Sequence, residues 1–285
     1  MVAIGRAACA TILAAGMLHA DVVVAGTLDD IRGSGTVCLA YRKDAPPFSY
    51  VAGNGAAPVG FIVDLCRAVT AGIGRQLGID IKEAYVPVTA TDRFDAITNN
   101  KADLLCEATT QTLKRRETVS FSIPTFADGA SFIIQPGGPK DIGSLADKKV
   151  GVLAGTTTEA ELRRALAAKQ LNAEIVPAKT HREGLDAVEK GAVAAYFADR
   201  GILAFLLMNA KRPTNLLLAD IYLTVEPYAL AMRRGDEEFR LAVDRELSSI
   251  YRSGQIARIF GATFGPSVRP SPTLLGLYAT AALPE

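Results

Sequence analysis

The chain has 285 residues, of which 49% are hydrophobic and 21% are charged, with 25 glycines and 14 prolines. This composition is that of an ordinary globular protein and excludes a disordered or fibrous chain. Because 31 Lys and Arg face 30 Asp and Glu, the formal net charge is +1. No global field therefore attracts nucleic acid or an anionic membrane, and any recognition of charge has to be local.

The first 25 residues are typical of a secretory signal peptide. One cation, Arg6, precedes an apolar stretch that ends at Leu18, and small residues offer cleavage after Ala20 or Ala25. The apolar stretch is too short to span a bilayer. A buried N-terminal strand or helix is the alternative. We expect residues 1–25 to be removed and the mature protein to be periplasmic.

Export changes how the cysteines are interpreted, because thiols pair in an oxidising compartment. Cys66 lies in the helical pattern "FIVDLCRAVTAGIG" and Cys106 ends the apolar strand "ADLLC". A helix packed on its sheet brings the two together, so we predict a Cys66–Cys106 disulfide and a buried Cys38 without a partner. With no C-x-x-C pair and only two His, we expect no metal and no other cofactor.

Strands and helices alternate along the chain, a pattern that predicts an α/β fold with helices on the faces of its sheets. The first series is, in chain order, strand 36–41, helix 60–78, strand 79–88, helix 91–102, strand 103–108 and extended segment 129–136. The second series follows the Pro-Gly-Gly-Pro turn at 136–139 and comprises strand 148–155, helix 156–171, strand 172–178, helix 181–192, a strand that turns into a helix over 193–210, strands 216–223 and 228–234, and two helices within 236–260. We expect the Pro-interrupted tail after these helices to wrap around the first unit.

Each series is short for a whole domain, so the simplest arrangement returns the chain from the second unit to the first. Lobe 1 is then predicted to comprise 26–129 and 228–285, and lobe 2 to comprise 130–227, with a cleft between them. Ligand sites in open α/β sheets form at the carboxyl ends of strands, beside helix N-termini. The polar stretch 106–122, "CEATTQTLKRRETVSFS", occupies such a place.

In this order, the segments "GFIVDLCRAV", "ADLLCEATTQTLKRRETVSFS", "DKKVGVLAGTTTEA" and "AAYFADRGILA" resemble the periplasmic solute-binding proteins of amino-acid ABC importers. The resemblance covers nearly the whole mature chain and is closest to the glutamate/aspartate-binding proteins of the polar amino-acid class. It implies two lobes joined by two hinge strands, near Ala127–Ser131 and Glu226–Ala229. It also implies a monomer that captures an amino acid by hinge closure and passes it to a membrane permease, without catalysis and without nucleic acid.

A zwitterionic amino acid needs donors for its α-carboxylate, and the polar stretch offers them. We expect Arg115 to hold this carboxylate, with Thr109 and Thr110 as further donors and Arg116 as the rival cation. From lobe 2, the helix N-terminus in "GTTTEA" adds Thr156 and Thr157.

The ligand's ammonium needs a carboxylate, and Asp199 in "YFADRG" ends an apolar strand where it would otherwise be an unpaired buried charge. A helix N-cap is the alternative role for Asp199. The resemblance further implies that Arg42, Arg93 and His181 face a second carboxylate on the ligand, with Thr91 assisting.

The chain departs from the family pattern beside these residues. Where the resembling proteins have Gly-Ser-Thr-Thr after the cysteine, this chain has Glu107-Ala108-Thr109-Thr110, and Ala90 replaces a hydroxyl-bearing residue near Arg93. Glu107 would repel an acidic ligand if it pointed inward. The departures leave the amino-acid class intact and leave the choice of side chain open.

Two other classes of protein share this fold. One is an exported enzyme similar to cyclohexadienyl dehydratase, a lyase in which Glu107 or Asp199 would act as general acid. Such an enzyme would pair a carboxyl of raised pKa with an aromatic-sized pocket, whereas a binding protein would have a compact cationic pocket. The other is a soluble sensor module, which would need a separate partner.

Overall fold

The computed structural model describes residues 26–53 and 55–285, so the predicted signal peptide lies outside the described residues. The helices are α1 Thr27–Ser34, α2 Phe61–Leu77, α3 Arg93–Thr98, α4 Leu113–Arg116, α5 Thr157–Ala168, α6 His181–Glu189, α7 Arg200–Met208, α8 Glu237–Arg252, α9 Gln255–Phe264 and α10 Pro272–Ala281. The strands are β1 Thr36–Arg42, β2 Asp44–Ala45, β3 Ser49–Val51, β4 Pro58–Val59, β5 Lys82–Val88, β6 Leu104–Leu105, β7 Val119–Phe121, β8 Phe126–Asp128, β9 Ala130–Ile134, β10 Lys149–Leu153, β11 Glu174–Ala178, β12 Ala195–Asp199, β13 Leu217–Leu218, β14 Glu226–Tyr228 and β15 Ala231–Arg233.

Two five-stranded sheets form the centres of the two lobes. Lobe 1 has the strand order β5-β1-β6-β15-β7, in which β1 runs parallel to β5 and β6. Lobe 2 has the order β11-β10-β12-β9-β13, in which β10 runs parallel to β11 and β12. In each sheet the parallel strands end at one edge. The two-lobed α/β fold predicted from the sequence is confirmed.

The chain crosses between the two sheets twice. It leaves lobe 1 through β8 and returns through β14, and the two strands pair antiparallel with Glu226 opposite Asp128 and Tyr228 opposite Phe126. Because β15 then pairs with β6 and β7, the returning chain completes the first sheet. The two crossings are therefore joined to each other by a short two-stranded ladder.

Aromatic rings surround the crossing on the side of lobe 1. Phe126 stacks on Tyr228 with ring centroids 6.0 Å apart, and Phe48 meets both rings edge-on at 5.0 and 5.5 Å. Phe61 and Phe264 close the cluster from α2 and α9. Such pairs stabilise a core by about 0.5–1.5 kcal/mol each beyond the area they bury.

Two regions differ from the sequence prediction. The predicted strand 216–223 is regular only over Leu217–Leu218, and the predicted strand 228–234 is divided between β14 and β15, because the chain there passes from the crossing into the sheet of lobe 1. The tail contains α10, which packs on α8. We did not predict this helix because the tail contains several prolines. Pro272 is nevertheless compatible with a helix, since it stands at the first helical position after the N-cap Ser271, where no N–H is needed.

The predicted disulfide is confirmed: Cys66 on α2 is bonded to Cys106, with their Cα atoms 6.1 Å apart and a sequence separation of 40 residues. Both residues are fully buried. Cys38 has no partner among the described residues but is only half-buried, so the prediction of a buried Cys38 is wrong. The bond ties α2 to the end of β6, where the polar stretch begins. None of the helices in the described part of the chain has the length and apolar character needed to cross a membrane.

We expect loss of this disulfide to lower the free energy of unfolding by about 4 kcal/mol, because the unfolded chain regains the entropy of a 40-residue loop. The measurement is urea unfolding of the wild type and of the Cys66→Ala/Cys106→Ala variant, each with and without dithiothreitol. Reductant should destabilise the wild type and a Cys38→Ala control, and should leave the double variant unchanged. Equal midpoints for the oxidised and reduced wild type would contradict the prediction.

Candidate functional site

A pocket lies between the two lobes, where the parallel strands of both sheets end. It is lined by Arg42, Ala45, Arg93, Glu107, Ala108, Thr110, Arg115, Leu153, Thr156, Thr157, Thr158, His181, Phe197, Ala198, Asp199 and Ile202. Arg42 ends β1 and Asp199 ends β12, while the other polar groups follow β6 and β10 or begin helices. Strand ends of two α/β sheets therefore converge on one site, as the topology predicts.

The loop after β6 is held on both sides. The disulfide fixes Cys106, whose N–H also donates to the carbonyl of Ala40 at 2.8 Å. Further along, the Thr109 carbonyl accepts from Ala229 N–H at 3.1 Å, and Thr110 forms a β-bridge with Tyr228. The loop is thus attached both to the core of lobe 1 and to the returning crossing strand.

Arg115 points from α4 toward the pocket. Its Nη1 donates to the carbonyl of Thr110 at 2.6 Å, and its guanidinium lies 5.3 Å from the centre of the Phe94 ring. Burial, and then the neighbouring charge of Arg93, lower the pKa of Arg115 to about 10, so it remains a cation at neutral pH. Its rival Arg116 is exposed and does not line the pocket.

Asp199 approaches from lobe 2 at the N-cap position of α7, yet its side chain makes no capping hydrogen bond. Instead it accepts from the hydroxyl of Tyr228 at 2.5 Å and from that of Thr158 at 3.1 Å. Burial, and then the charges of Glu226 and Asp128, raise the pKa of Asp199 to about 8. A cation brought into the pocket would favour its ionised form.

Glu226 is a member of the site that the sequence indicates only as part of the hinge. It is 2% exposed, and one of its oxygens accepts from the hydroxyls of Thr110 and of Thr157, the latter at 2.7 Å. Thr224 donates to its other oxygen at 2.9 Å. The hydroxyls of Thr110 and Thr157, which we expected to face the ligand's carboxylate, therefore bind a protein carboxylate at the junction of the lobes. The only sequence signal for this role of Glu226 is that it is a single acidic residue beside an apolar strand.

One end of the pocket contains Arg42, Arg93 and His181, each at most 4% exposed. Arg42 donates to Oδ1 of Asp44 through Nε at 3.0 Å and Nη2 at 2.6 Å. The Nε of Arg93 lies 3.4 Å from an oxygen of Glu107. The three residues predicted to meet a second carboxylate thus converge, but two acidic residues of the protein lie among them.

His181 is neutral rather than cationic. Its Nδ1 lies 2.9 Å from the hydroxyl of Tyr196, and its backbone N–H donates across the cleft to Asp44. Burial, and then the charge of Arg42, lower the pKa of His181 to about 3. Tyr196 reaches this position because residue 184 is glycine: a Cβ there would lie 1.9 Å from the Tyr196 ring.

The predicted ligand-binding residues divide into those that line the pocket and those that do not. Eight of them line the pocket: Arg42, Arg93, Thr110, Arg115, Thr156, Thr157, His181 and Asp199. Thr91 does not, because it lies exposed on the surface with its hydroxyl 3.0 Å from that of Thr89. Thr109 is fully buried behind the lining, where its hydroxyl donates to Glu107. In the described part of the chain, no group of three or more His, Cys, Asp or Glu is arranged to hold a metal ion.

Comparison with known proteins assigns the chain to a family. The model of the bacterial extracellular solute-binding proteins, family 3, matches residues 37–266. The chain belongs to this family. It is 30% identical to the L-glutamate/L-aspartate-binding protein of Pseudomonas aeruginosa over 91% of this chain and 88% of that protein. It is 29% identical to the glutamate/aspartate import solute-binding protein of Escherichia coli over 90% of this chain and 87% of that protein.

A solved structure of the same family fold is also similar. An ancestral amino-acid-binding protein, described as a precursor of cyclohexadienyl dehydratase, is 26% identical, and the alignment covers 84% of this chain and 99% of that one with a TM-score of 0.73. The resemblance inferred from sequence segments is thus confirmed by comparisons over most of the chain.

Because His181 is held neutral when folded, we expect its contribution to stability to fall as the solution becomes more acidic. The raised pKa of Asp199 contributes in the opposite direction, but it does so equally in the wild type and in a His181 variant. The unfolded histidine takes up a proton below its ordinary pKa of about 6.5 and the folded one does not, which costs up to about 1.4 kcal/mol per pH unit. The measurement is urea unfolding between pH 6.5 and 5, in the wild type and in His181→Asn. On acidification the free energy of unfolding of the wild type should decrease more, or increase less, than that of the variant, and equal slopes would contradict the prediction.

Proposed function

We propose that this family member is an extracytoplasmic receptor that captures an amino acid between its lobes and presents it to the permease of an ABC importer. One observation carries the proposal: a guanidinium from lobe 1, Arg115, and a carboxylate from lobe 2, Asp199, line the same pocket. A zwitterion is complementary to this pair, since Arg115 suits its α-carboxylate and Asp199 suits its ammonium. The ligand would therefore bridge the lobes.

Hinge closure supplies the mechanism. The space enclosed by the pocket is ≈ 20 Å³, about the room that one water molecule needs, so an amino acid enters only if the cleft opens. We infer that 26–129 with 228–285 and 130–227 move as two bodies about β8 and β14. A ligand that contacts both bodies shifts the equilibrium to the closed form, and the permease would recognise this form on a monomeric receptor.

Two observations bear on the ligand's side chain in opposite directions. The names of the relatives from Pseudomonas aeruginosa and Escherichia coli favour glutamate or aspartate, and the guanidiniums of Arg42 and Arg93 are suitable partners for a second carboxylate. Glu107 opposes this choice, because its carboxylate is already beside Arg93. We therefore propose the polar amino acids as the substrate class, with acids and amides as the compounds to compare.

An exported lyase is the second candidate, because Asp199 has a raised pKa and a structural relative is described as a precursor of cyclohexadienyl dehydratase. A pocket crowded by arginines and carboxylates is compact, whereas such an enzyme needs room for a ring. Binding of amino acids, and absence of turnover with prephenate, is the outcome we expect.

The direct test is a calorimetric melting experiment on refolded protein with glutamate, aspartate, glutamine, asparagine, arginine, leucine and prephenate. A polar amino acid at about a hundred times its dissociation constant should stabilise the protein by about 2.7 kcal/mol. In Arg115→Lys, which keeps the charge but loses the planar fork, the affinity should fall at least about tenfold. The exposed neighbour variant Arg116→Lys is the control and should bind like wild type. If no amino acid shifts the melting temperature, the proposed function is wrong.

Ligand binding should also release a proton, because an ammonium beside Asp199 favours the ionised carboxylate, whose pKa without that cation is about 8. The affinity should rise about tenfold per pH unit between pH 6 and 7.5 and level off above 8. Isothermal titration calorimetry at pH 7 in phosphate and in Tris measures the released protons from the difference in apparent enthalpy. Asp199→Asn should release none and bind weakly. An affinity that is constant from pH 6 to 8 would contradict this coupling.

A further inference from the structure

Glu107 places a carboxylate of the protein at the end of the pocket that would receive the ligand's side chain. It follows the disulfide-bonded Cys106 and is 2% exposed. One of its oxygens accepts from the hydroxyl of Thr109 and lies 3.4 Å from Nε of Arg93, and its other oxygen lies 4.0 Å from Nη1 of Arg42. The side chain thus points between the two guanidiniums that would otherwise face the ligand.

The charges at this end of the pocket cancel. Arg42 is paired with Asp44, Arg93 is beside Glu107, and His181 is neutral. Arg115 is adjacent, over the same Phe94 ring as Arg93, but it is assigned to the ligand's α-carboxylate. Apart from Arg115, two cations and two anions leave no net charge for a second ligand carboxylate to neutralise. A second carboxylate would have to approach Glu107, and two like charges at a buried site repel strongly.

Hydrogen-bonding capacity nevertheless remains at this end. The Nε of Arg93 is buried and has no hydrogen-bond partner within the described residues, although the guanidinium lies over the Phe94 ring at 5.0 Å. The Glu107 oxygen nearest Arg42 lies 4.0 Å from Nη1 of that arginine, which is beyond hydrogen-bond distance. A donor and an acceptor therefore stand side by side. A carboxamide matches both, since its oxygen accepts from an arginine and its NH₂ group donates to a carboxylate.

We propose that Glu107 is a specificity-determining residue that selects an amino acid with an uncharged, hydrogen-bonding side chain, with a carboxamide as the best match, over glutamate and aspartate. This inference rests on the proposed function, because it assumes that the ligand's amino and carboxyl groups are held by Asp199 and Arg115. It deepens that function by naming the class of side chain. A purely structural Glu107, which only neutralises the arginines, would alter stability without altering the order of ligand affinities.

The experiment compares ligands that differ only in charge: glutamine with glutamate, and asparagine with aspartate. Protein produced from the full-length coding sequence is stripped of ligand by refolding, and dissociation constants are measured by titration calorimetry for the wild type, Glu107→Gln and Glu117→Gln. Glu117 is exposed, is paired only with Lys114 among the described residues, and controls for the loss of one negative charge.

We expect the wild type to bind the better amide at least about tenfold more tightly than its acid, a difference of about 1.4 kcal/mol. In Glu107→Gln the repulsion is gone and Arg93 is free to pair with the ligand, so the ratio should move toward the acid by at least about tenfold. Glu117→Gln should keep the wild-type ratio.

Each other outcome identifies what has failed. A wild type that binds glutamate or aspartate more tightly than the amides overturns the role of Glu107 and leaves the proposed function standing. The role of Glu107 is overturned in the same way if Glu107→Gln folds and keeps the wild-type ratio. Should that variant not fold, Glu107→Gly, which carries the residue usual in the resembling proteins, is measured instead, and the wild-type ratio alone remains decisive. If no amino acid binds to folded wild type, the proposed function itself has failed.

Discussion

Burial of charge between the lobes is the constraint on which the rest of this structure depends. An ion removed from water loses several kcal/mol of hydration unless hydrogen bonds or an opposite charge replace it. Glu226, inside the crossing strand β14, satisfies this requirement by accepting the hydroxyls of Thr110 from lobe 1 and Thr157 from lobe 2. Asp199 accepts from the hydroxyls of Tyr228 and Thr158, but its pKa of about 8 means that it is mainly ionised at neutral pH only when a cation is beside it. Because the donors come from both sides of the cleft, these hydrogen bonds connect the two lobes.

Tyr228 connects these hydrogen bonds to the packing of lobe 1. Its ring lies in the aromatic cluster with Phe48 and Phe126, and it is completely buried, while its hydroxyl reaches Asp199 at the end of β12. A rotation of the lobes about β8 and β14 would have to break this hydrogen bond or carry the ring with it. Since the ring is packed from several directions, the hydrogen bond to Asp199 would break more easily than the ring would move. In the proposed hinge motion, the crossing strand β14 would therefore supply both the axis and a contact that has to break when the cleft opens.

Features that depend on local sequence could be predicted, whereas contacts between residues far apart in the chain could not. The alternation of strands and helices, the convergence of strand ends and the pairing of Cys66 with Cys106 follow from periodicity and local topology, and they were predicted. The roles of Thr110 and Thr157 were different, because their hydroxyls are taken by Glu226, which is 116 and 69 residues away from them, respectively. Thr91 looked equivalent to its neighbours in the sequence, but the turn before α3 directs it to the surface. The residues around a side chain in the sequence do not indicate which partner it will meet across a cleft.

The geometry of Asp199 also bears on whether the site binds or catalyses. A general acid has to present its proton to the reacting molecule, so one of its carboxyl oxygens must be directed at that molecule. At Asp199 both oxygens instead accept from hydroxyl groups, at 2.5 Å from Tyr228 and 3.1 Å from Thr158. Those bonds orient the remaining lone pairs of a carboxylate, which is an acceptor for an ammonium. Arg115, held over Phe94 on the opposite lobe, completes a pair of opposite charges that a zwitterion neutralises. Both side chains are held by fixed neighbours, and Asp199 becomes fully ionised when an ammonium lies beside it, because its pKa without that cation is about 8.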